Sequence, residues 1–235
     1  MSAQLEKYQR LLAGKKPEEI IDWALDKWGV REIVLASSLG AEDQVLTFLF
    51  AQRDRNARVF TLDTGRLFQE TFDLMDQTMG RYGFRYEVIF PDQQKVEEMV
   101  GHHGPNLFYH SREYRVHCCT VRKTQPLQRV LKTASAWICG LRREQAPTRT
   151  DIEAIEWDEV NSLYKINPLY NWTEAQVWDY IKERNIPFNE LHSKGFRSIG
   201  CQPCTRAVQK GEDVRAGRWW WEDVSQRECG LHKRK

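Results

Sequence analysis

The chain has 235 residues, of which 41% are hydrophobic and 29% are charged, and its formal net charge is +2. This balance is typical of a folded globular protein and excludes a disordered or fibrous chain. We expect no nucleic-acid partner from so small a net charge. We expect no membrane association either, because no apolar run approaches the roughly 18 residues that cross a bilayer.

The first two-thirds of the chain alternate helical and strand patterns. The predicted helices are KPEEIIDWALDKWG, AEDQVLTFLFAQ and FQETFDLMDQTMGRYG, and the predicted strands are Glu32–Ala36, ARVFTLD, YEVIF and Ser135–Leu141. Such alternation predicts an α/β fold, with a mostly parallel sheet covered by helices on both faces. Ligands of such sheets bind at the carboxyl ends of the strands.

The pattern is less regular beyond Asp151. One further helix is predicted, with Thr173 as its N-cap. After Pro187 we expect loops, a basic and aromatic segment, and a cationic tail. We therefore expect one α/β domain over residues 1–210 and a mobile C-terminal segment over residues 211–235.

The loop SSLGAED follows the first predicted strand and precedes a helix. Its Ser37, Ser38 and Gly40 are small enough for backbone amides to approach a phosphate at the positive end of that helix. Small polar residues are also common in such turns for steric reasons, so both interpretations stay open. Gly65 in LDTGRL has the same two interpretations.

Four cysteines form two pairs, Cys118 with Cys119 and Cys201 with Cys204. Two such pairs favour a four-sulfur metal site over simple packing. Adjacent side chains on a helix diverge by about 100°, which fits one tetrahedral ion poorly. Because adjacent cysteines can ligate different irons of one cubane, we favour a [4Fe-4S] cluster over zinc.

Several other residues accompany these pairs. Lys123, four residues after Cys119, is predicted to share its helix face. In a helical turn, Arg215 and Arg218 would point the same way, although basic side chains of this kind usually lie on a solvated surface. Cys139 lies in an apolar strand and is expected to be a buried small hydrophobe.

Two features bear on compartment and assembly. The polar N-terminal segment lacks the apolar stretch of a secretory signal, so we expect a cytoplasmic protein with few disulfides. The run Trp219–Trp221 is interpreted mostly as packing, although it also allows a homo-oligomer interface.

Cys229 is an isolated thiol in the cationic tail RECGLHKRK. Neighbouring positive charges lower the pKa of a thiol and attract an anionic substrate, and a tail can close over that substrate and open again. This pattern is compatible with a nucleophilic thiol.

The motifs SSLGAED, LDTGRL, HCCTVRK, GLRREQAPTR, GCQPCTR and ECGLH occur in this order. Together they resemble the iron-sulfur branch of the adenylyl-sulfate (APS) and phosphoadenylyl-sulfate (PAPS) reductase family. The resemblance implies an adenine nucleotide alpha-hydrolase-like fold and a role in sulfate assimilation and cysteine biosynthesis. It further implies reduction of APS to sulfite and AMP through an S-sulfocysteine on Cys229, with thioredoxin or a glutaredoxin-like dithiol as reductant.

The resemblance also implies residue roles. The pyrophosphate loop and adenosine pocket would comprise Ser37, Ser38, Gly40, Asp63, Thr64 and Gly65. The phosphate and sulfate would be held by Lys123, Arg215, Arg218 and His232, with Arg142 and Arg143 as further nucleotide contacts. The cluster ligands would be Cys118, Cys119, Cys201 and Cys204.

Three alternatives remain open. A PAPS or dual APS/PAPS reductase would keep the ECGLH tail, but such enzymes generally lack the four cluster cysteines. A non-enzymatic four-cysteine zinc protein that binds nucleotide would leave Cys229 without a task. A thiol redox sensor would leave the two nucleotide-compatible loops unexplained.

Overall fold

The computed structural model describes residues 2–145 and 150–223. The α-helices of these ranges are α1 Ala3–Leu12, α2 Pro17–Trp28, α3 Ala41–Ala51, α4 Gln69–Tyr82, α5 Gln93–His103, α6 Arg112–Cys119, α7 Gln125–Leu131 and α8 Glu174–Glu183. The strands are β1 Ile33–Ala36, β2 Arg58–Leu62, β3 Glu87–Ile89, β4 Ala136–Ile138, β5 Ile155–Asp158 and β6 Leu163–Ile166. None of the described helices is long and apolar enough to cross a membrane.

The strands form one six-stranded sheet in the order β3-β2-β1-β4-β6-β5. Strand β1 pairs in parallel with both β2 and β4, and β4 pairs in parallel with β6. Strand β5 is antiparallel to β6. The predicted α/β fold with a mostly parallel sheet is confirmed, and the antiparallel edge strand was not foreseen because β5 and β6 are short and of mixed polarity.

The chain divides into two compact units. The first combines Met1–Thr61, Asp73–Glu87 and Leu131–Asn189, and the second combines Leu62–Phe72, Val88–Val130 and Glu190–Lys235. The first unit holds most of the sheet, and the chain enters the second unit at the end of β2 and again within β3. Each unit therefore consists of segments that are far apart in sequence.

The core of the first unit is built from the strand interiors and the inner faces of its helices. Ile33, Val34 and Leu35 of β1 are completely buried, and α2 and α3 each contribute a buried apolar stripe. Fully burying one such side chain stabilises the fold by about 1.5–3 kcal/mol. These contacts fix the ends of β1 and β4, where the first predicted ligand loops begin.

Local sequence signals define several helix boundaries. Pro17 begins α2, and Gly29, with φ of 81°, ends it in a conformation that favours glycine. Thr173 caps α8 as predicted. Its hydroxyl accepts from the Gln176 backbone N–H at 3.1 Å, and its own N–H donates to the Gln176 side chain at 2.8 Å.

Candidate functional site

The loop after β1 lies in the first unit and is held by its own hydroxyl groups. The Ser37 backbone N–H donates to the Phe60 carbonyl at 2.9 Å, and the Ser37 hydroxyl accepts from the Leu39 N–H at 3.2 Å. Leu39 adopts φ of 57°, which turns the chain into α3 with Gly40 as the N-cap. The predicted strand-loop-helix junction is thus present.

Asp43 ties this loop together. Its carboxylate accepts from the Ser38 backbone N–H at 2.6 Å and from the Ser38 hydroxyl at 2.7 Å. Burial nevertheless dominates and raises the pKa of Asp43 to about 6, although the hydrogen bonds from Ser38 oppose the shift. Gly140, after β4, packs so closely that a Cβ there would lie 2.6 Å from the Asp43 carboxylate.

The two arginines predicted as nucleotide contacts are paired with carboxylates of the first unit. Arg142 is buried and forms ion pairs with Glu42 at 2.8 Å and with Glu144 at 3.1 Å. Arg143 forms an ion pair with Glu153 at 2.9 Å. In this arrangement both guanidinium groups brace the loop after β4, and their role as nucleotide contacts stays a prediction.

The loop after β2 belongs to the second unit. The Asp63 carboxylate accepts from the Gly65 N–H at 2.7 Å, and Gly65 adopts φ of 69°. The Thr64 hydroxyl lies 3.2 Å from the Cys201 sulfur, and the Thr64 carbonyl accepts from Arg122 at 2.6 Å. This loop is therefore attached directly to the segments that carry the cysteines.

Three of the four predicted cluster cysteines share one buried region of the second unit. Cys118, Cys201 and Cys204 are each 8% exposed and pack in a single cluster with apolar side chains. Cys119 is half-buried. All four of these thiols are free of disulfides, as metal ligation requires.

The helix that carries the adjacent pair changes its winding directly after it. Helix α6 ends at Cys119, and Thr120–Thr124 form a π-helical turn before α7 begins. The expected shared face of Cys119 and Lys123 stays a prediction, because the π turn changes the winding between them. A π turn is often found at functional sites because it redirects side chains that a regular helix would space evenly.

Lys123 nevertheless lies among the cysteines. It forms a side-chain hydrogen bond with Cys201. Burial acts to raise the pKa of Cys201, but the Lys123 ammonium, the Thr64 hydroxyl and the Arg218 guanidinium outweigh it, so this pKa is lowered. Cys201 is therefore a buried thiol whose thiolate form is favoured.

The pKa values of the neighbouring thiols are shifted in the opposite direction, upward. Burial, reinforced by the Cys201 charge, raises the pKa of Cys204 to about 12. Burial also raises the pKa of Cys118, against the opposing field of Arg122. Metal ions bind thiolates, so a bound cationic centre would reverse this preference for the protonated thiols.

The described residues contain no group of three or more His, Cys, Asp or Glu side chains arranged around one metal ion. The donor set still fits an iron-sulfur cluster, because thiolates are the ligands that such clusters use and a cubane spreads its ligands over separate irons. The buried apolar surroundings also fit, because they keep water from such a centre.

Arg215 lies in a turn, and Arg218 forms an isolated antiparallel bridge with Thr205. The two residues do not form a helical turn, but both guanidinium groups lie over the Trp219 ring, at 6.0 and 4.8 Å from its centroid. Arg218 is buried and donates to the Ile199 carbonyl at 3.3 Å. Gly200 leaves the space that this guanidinium occupies.

The tryptophan run and Cys139 largely follow expectation. Trp219 is buried, Trp221 packs against the same apolar cluster, and Trp220 is 37% exposed. Cys139 is buried in the first unit, where it also donates to the Asn167 side chain at 3.1 Å. Burial raises the pKa of Cys139 to about 11, which makes it an inert thiol.

A family model described as the phosphoadenosine phosphosulfate reductase domain matches residues 32–207. The chain belongs to this reductase family. The family and its class, oxidoreductases that act on a sulfur group, are thereby confirmed as predicted.

Relatives of this reductase share much of its length. The chain is 50% identical over 203 residues to "Adenosine 5'-phosphosulfate reductase" of Allochromatium vinosum, covering 86% of this chain and 79% of that one. It is 47% identical over 216 residues to the protein of the same name from Burkholderia cepacia, covering 91% and 86%. The crystal structure of phosphoadenylyl-sulfate (PAPS) reductase from Candida auris superposes with a TM-score of 0.75 at 26% identity, covering 88% of this chain and 98% of that one. The predicted fold is confirmed by this superposition.

Sequence reasoning missed two contributors to the reductase's cysteine region. Arg122 is buried between the cysteine pair and Thr64, and Gly200 makes room for Arg218. The only sequence signal for either was its position beside a predicted site residue. Cys229 and His232 lie outside the described residues.

Proposed function

We propose that this chain catalyses the thioredoxin-dependent reduction of APS to sulfite and AMP, in sulfate assimilation and cysteine biosynthesis. The relatives that carry the APS reductase name support the substrate, since they are 47–50% identical over most of their lengths. A reducing cytoplasm is the compartment in which free thiols of this kind persist.

The observation that carries this proposal is the buried cysteine region of the second unit. Cys118, Cys201 and Cys204 lie together there, and Lys123 and Arg218 lower the pKa of Cys201 against the effect of burial. A four-cysteine zinc protein would also use such thiols, but it gives no role to the family's tail motif.

The cofactor we propose is a [4Fe-4S] cluster. Its ligands would be Cys118, Cys119, Cys201 and Cys204, the four cysteines of the second unit's described residues. When bound, the cluster would supply a charged centre that tunes the local electrostatics and orders the fold, while the thiols carry the electrons of the reaction.

The remaining residues divide between binding the nucleotide and binding the sulfate. The amides of Ser37, Ser38 and Leu39 donate within the first unit, so the donors offered to a phosphate are the first amides of α3, after Gly40. The loop Asp63–Gly65 offers a turn that lines a ring or ribose. Lys123 and Arg218 supply positive charge for the phosphosulfate, and Arg215 and His232 would join them.

The chemistry needs one thiolate from this chain. The Cys229 thiolate attacks the sulfur of APS, the bond from sulfur to the phosphate oxygen breaks, and AMP leaves with that oxygen. A thiolate of the reductant then attacks the Cys229 sulfur and releases sulfite. The reductant's second thiol resolves the mixed disulfide, so the dithiol supplies both electrons and Cys229 returns as thiolate.

Turnover with each nucleotide tests this proposal. Anaerobically purified protein is mixed with thioredoxin and either APS or PAPS, and sulfite and nucleotide product are counted. We expect sulfite and AMP in equal amounts from APS, and none from Cys229→Ser. Cys139→Ser, which changes a buried thiol of the first unit, is the matched control and should retain activity.

PAPS reduction is the second candidate, since the matching solved structure is named for that substrate. The four cysteines of the second unit favour APS, because the PAPS enzymes generally lack them. A higher kcat/KM with PAPS than with APS would replace the first proposal by the second. Bound zinc without turnover of either nucleotide would contradict both.

A further inference from the structure

A separate cavity lies in the first unit, away from the loops that follow β1 and β4. Its volume is about 570 Å³, within the range of small-molecule sites. It is lined by the segment after α3 and by residues around the end of α4 and the start of β3. Arg58 pairs with Val34 in the parallel β1–β2 ladder, so the cavity adjoins the amino end of β2 whereas Ser37 follows the carboxyl end of β1.

The cavity wall contains three arginines and one carboxylate. Arg58 and Glu87 begin adjacent strands and form a two-pronged ion pair, with distances of 2.8 and 3.2 Å. The other N–H groups of Arg58 donate to the Arg31 carbonyl and to Thr133. The positive charge of Arg58 and the negative charge of Glu87 therefore satisfy each other.

Arg55 and Arg85 are the remaining charges of the wall. Both are exposed, and neither forms an ion pair with a carboxylate among the described residues. The Arg85 guanidinium lies 4.0 Å from the Met79 sulfur, which places an apolar side chain beside the charge. Two cations beside an apolar side chain are features that bind an organic anion.

Helix ends provide a competing explanation for arginines at this place, since the lining residues follow the carbonyl end of α3 and include the carbonyl end of α4. Other donors already serve two of those carbonyls. Arg53 donates to the Leu49 carbonyl of α3 at 2.9 Å, and the Gly83 N–H donates to the Met79 carbonyl of α4 at 2.9 Å. Among the described residues, Arg85 donates to the Met79 sulfur rather than to a carbonyl of either helix end.

We propose that this cavity binds a small organic phosphate or sulfate ester. The oxyanion would lie between Arg55 and Arg85, and the organic body would contact Met79. Guanidinium groups match the geometry of tetrahedral oxyanions, which explains the choice of an ester over a neutral ligand. The site is independent of the proposed reductase activity.

The Met79 methyl group offers a local test on the full chain. Protein with 13C-methyl methionine is titrated with phenyl phosphate, phenyl sulfate and inorganic phosphate, and the Met79 signal is assigned with Met79→Leu. We expect a saturable shift at low millimolar concentration with one or both esters. The ester that binds tighter identifies the class of ligand.

The decisive comparison uses two double variants, each of which removes two positive charges. Arg55→Ser/Arg85→Ser should weaken ester binding at least tenfold. Lys7→Ser/Arg10→Ser removes two exposed charges from α1 and should change it less than twofold. The buried Met75 methyl of α4 reports whether each variant keeps its fold. Equal weakening in both variants, or equal binding of inorganic phosphate and the esters, would overturn the proposal.

Discussion

The loop region of the first unit and the cysteine region of the second satisfy their charges in different ways. In the first, Arg142 is paired with Glu42 and Glu144, and Asp43 binds Ser38. In the second, Arg218 donates to a carbonyl and Lys123 to a thiol. Internal ion pairs hold the first region in a fixed shape. In the second region, positively charged side chains lie beside cysteine sulfur atoms.

This difference assigns different work to the two regions. A loop whose charges and amides are already matched can bind a ligand through its shape and through the first amides of the following helix. A region that gathers cations around thiols stabilises anionic sulfur and incoming anionic groups. Substitutions should therefore affect stability mainly in the first region and chemistry mainly in the second.

The largest effect is expected from Cys201→Ser. Losing this proposed ligand should remove iron from the purified protein and reduce turnover below detection, because Cys201 is buried with Cys118 and Cys204 and contacts the Thr64 hydroxyl. Iron content and visible absorption are the measurements, and Cys139→Ser is the control. A Cys201→Ser protein with full iron content would show that Cys201 is not a ligand.

Lys123→Ala should lower kcat/KM by about 100-fold, which is about 2.7 kcal/mol of transition-state stabilisation. The reason is the loss of a cation that lies beside Cys201. Lys95→Ala removes an exposed lysine that bonds Gln125 and should change kcat/KM less than twofold. A loss below threefold for Lys123→Ala would remove Lys123 from the proposed site.

In the first region, Gly140→Ala should lower the free energy of unfolding by about 2 kcal/mol through overpacking. A Cβ there would lie 2.8 Å from the Glu42 Cβ, which a rigid helix start cannot move easily. Urea unfolding followed by tryptophan fluorescence measures the change. Gly101→Ala, where a Cβ meets nothing within 4 Å, should not destabilise the protein. Equal results for both variants would count against tight packing at Gly140.

The smallest effect concerns Asp43, whose pKa is raised from 3.8 to about 6. A raised carboxyl pKa means that the folded state binds the proton more tightly, so this stabilisation is complete below about pH 4 and is lost as the pH rises through about 6. Between pH 5 and 7.5 the wild type should lose about 1 kcal/mol relative to Asp43→Asn. Asp26→Asn, at an exposed position of α2, should track the wild type. Parallel pH profiles for wild type and Asp43→Asn would contradict the raised pKa.

Much of the first unit could be predicted from sequence because its signals are local. Apolar periodicity and terminal glycines predicted α2, α3 and α4, and short β-branched runs predicted β1 and β2. Strands β5 and β6 were not predicted, because IEWD and LYKI have no clear strand pattern. Both strands are stabilised by pairing with each other.

The cysteine region could be predicted only in part. The spacing of the two pairs indicated a shared site, but nothing local in HCCTVRK predicts a π turn at Thr120–Thr124. Arg122 and Gly200 matter through contacts with Thr64 and Arg218, which are distant in sequence. Such roles follow from tertiary structure and leave no periodic signal.

The proposed nucleophile is tested most directly by trapping the intermediate. Anaerobic protein is incubated with sulfur-labelled APS without reductant, and intact-mass spectrometry and peptide mapping locate the label. We predict one sulfonate on Cys229 and release of sulfite only after thioredoxin is added. Sulfite formation without any label on Cys229, or a label that thioredoxin does not release, would contradict the account.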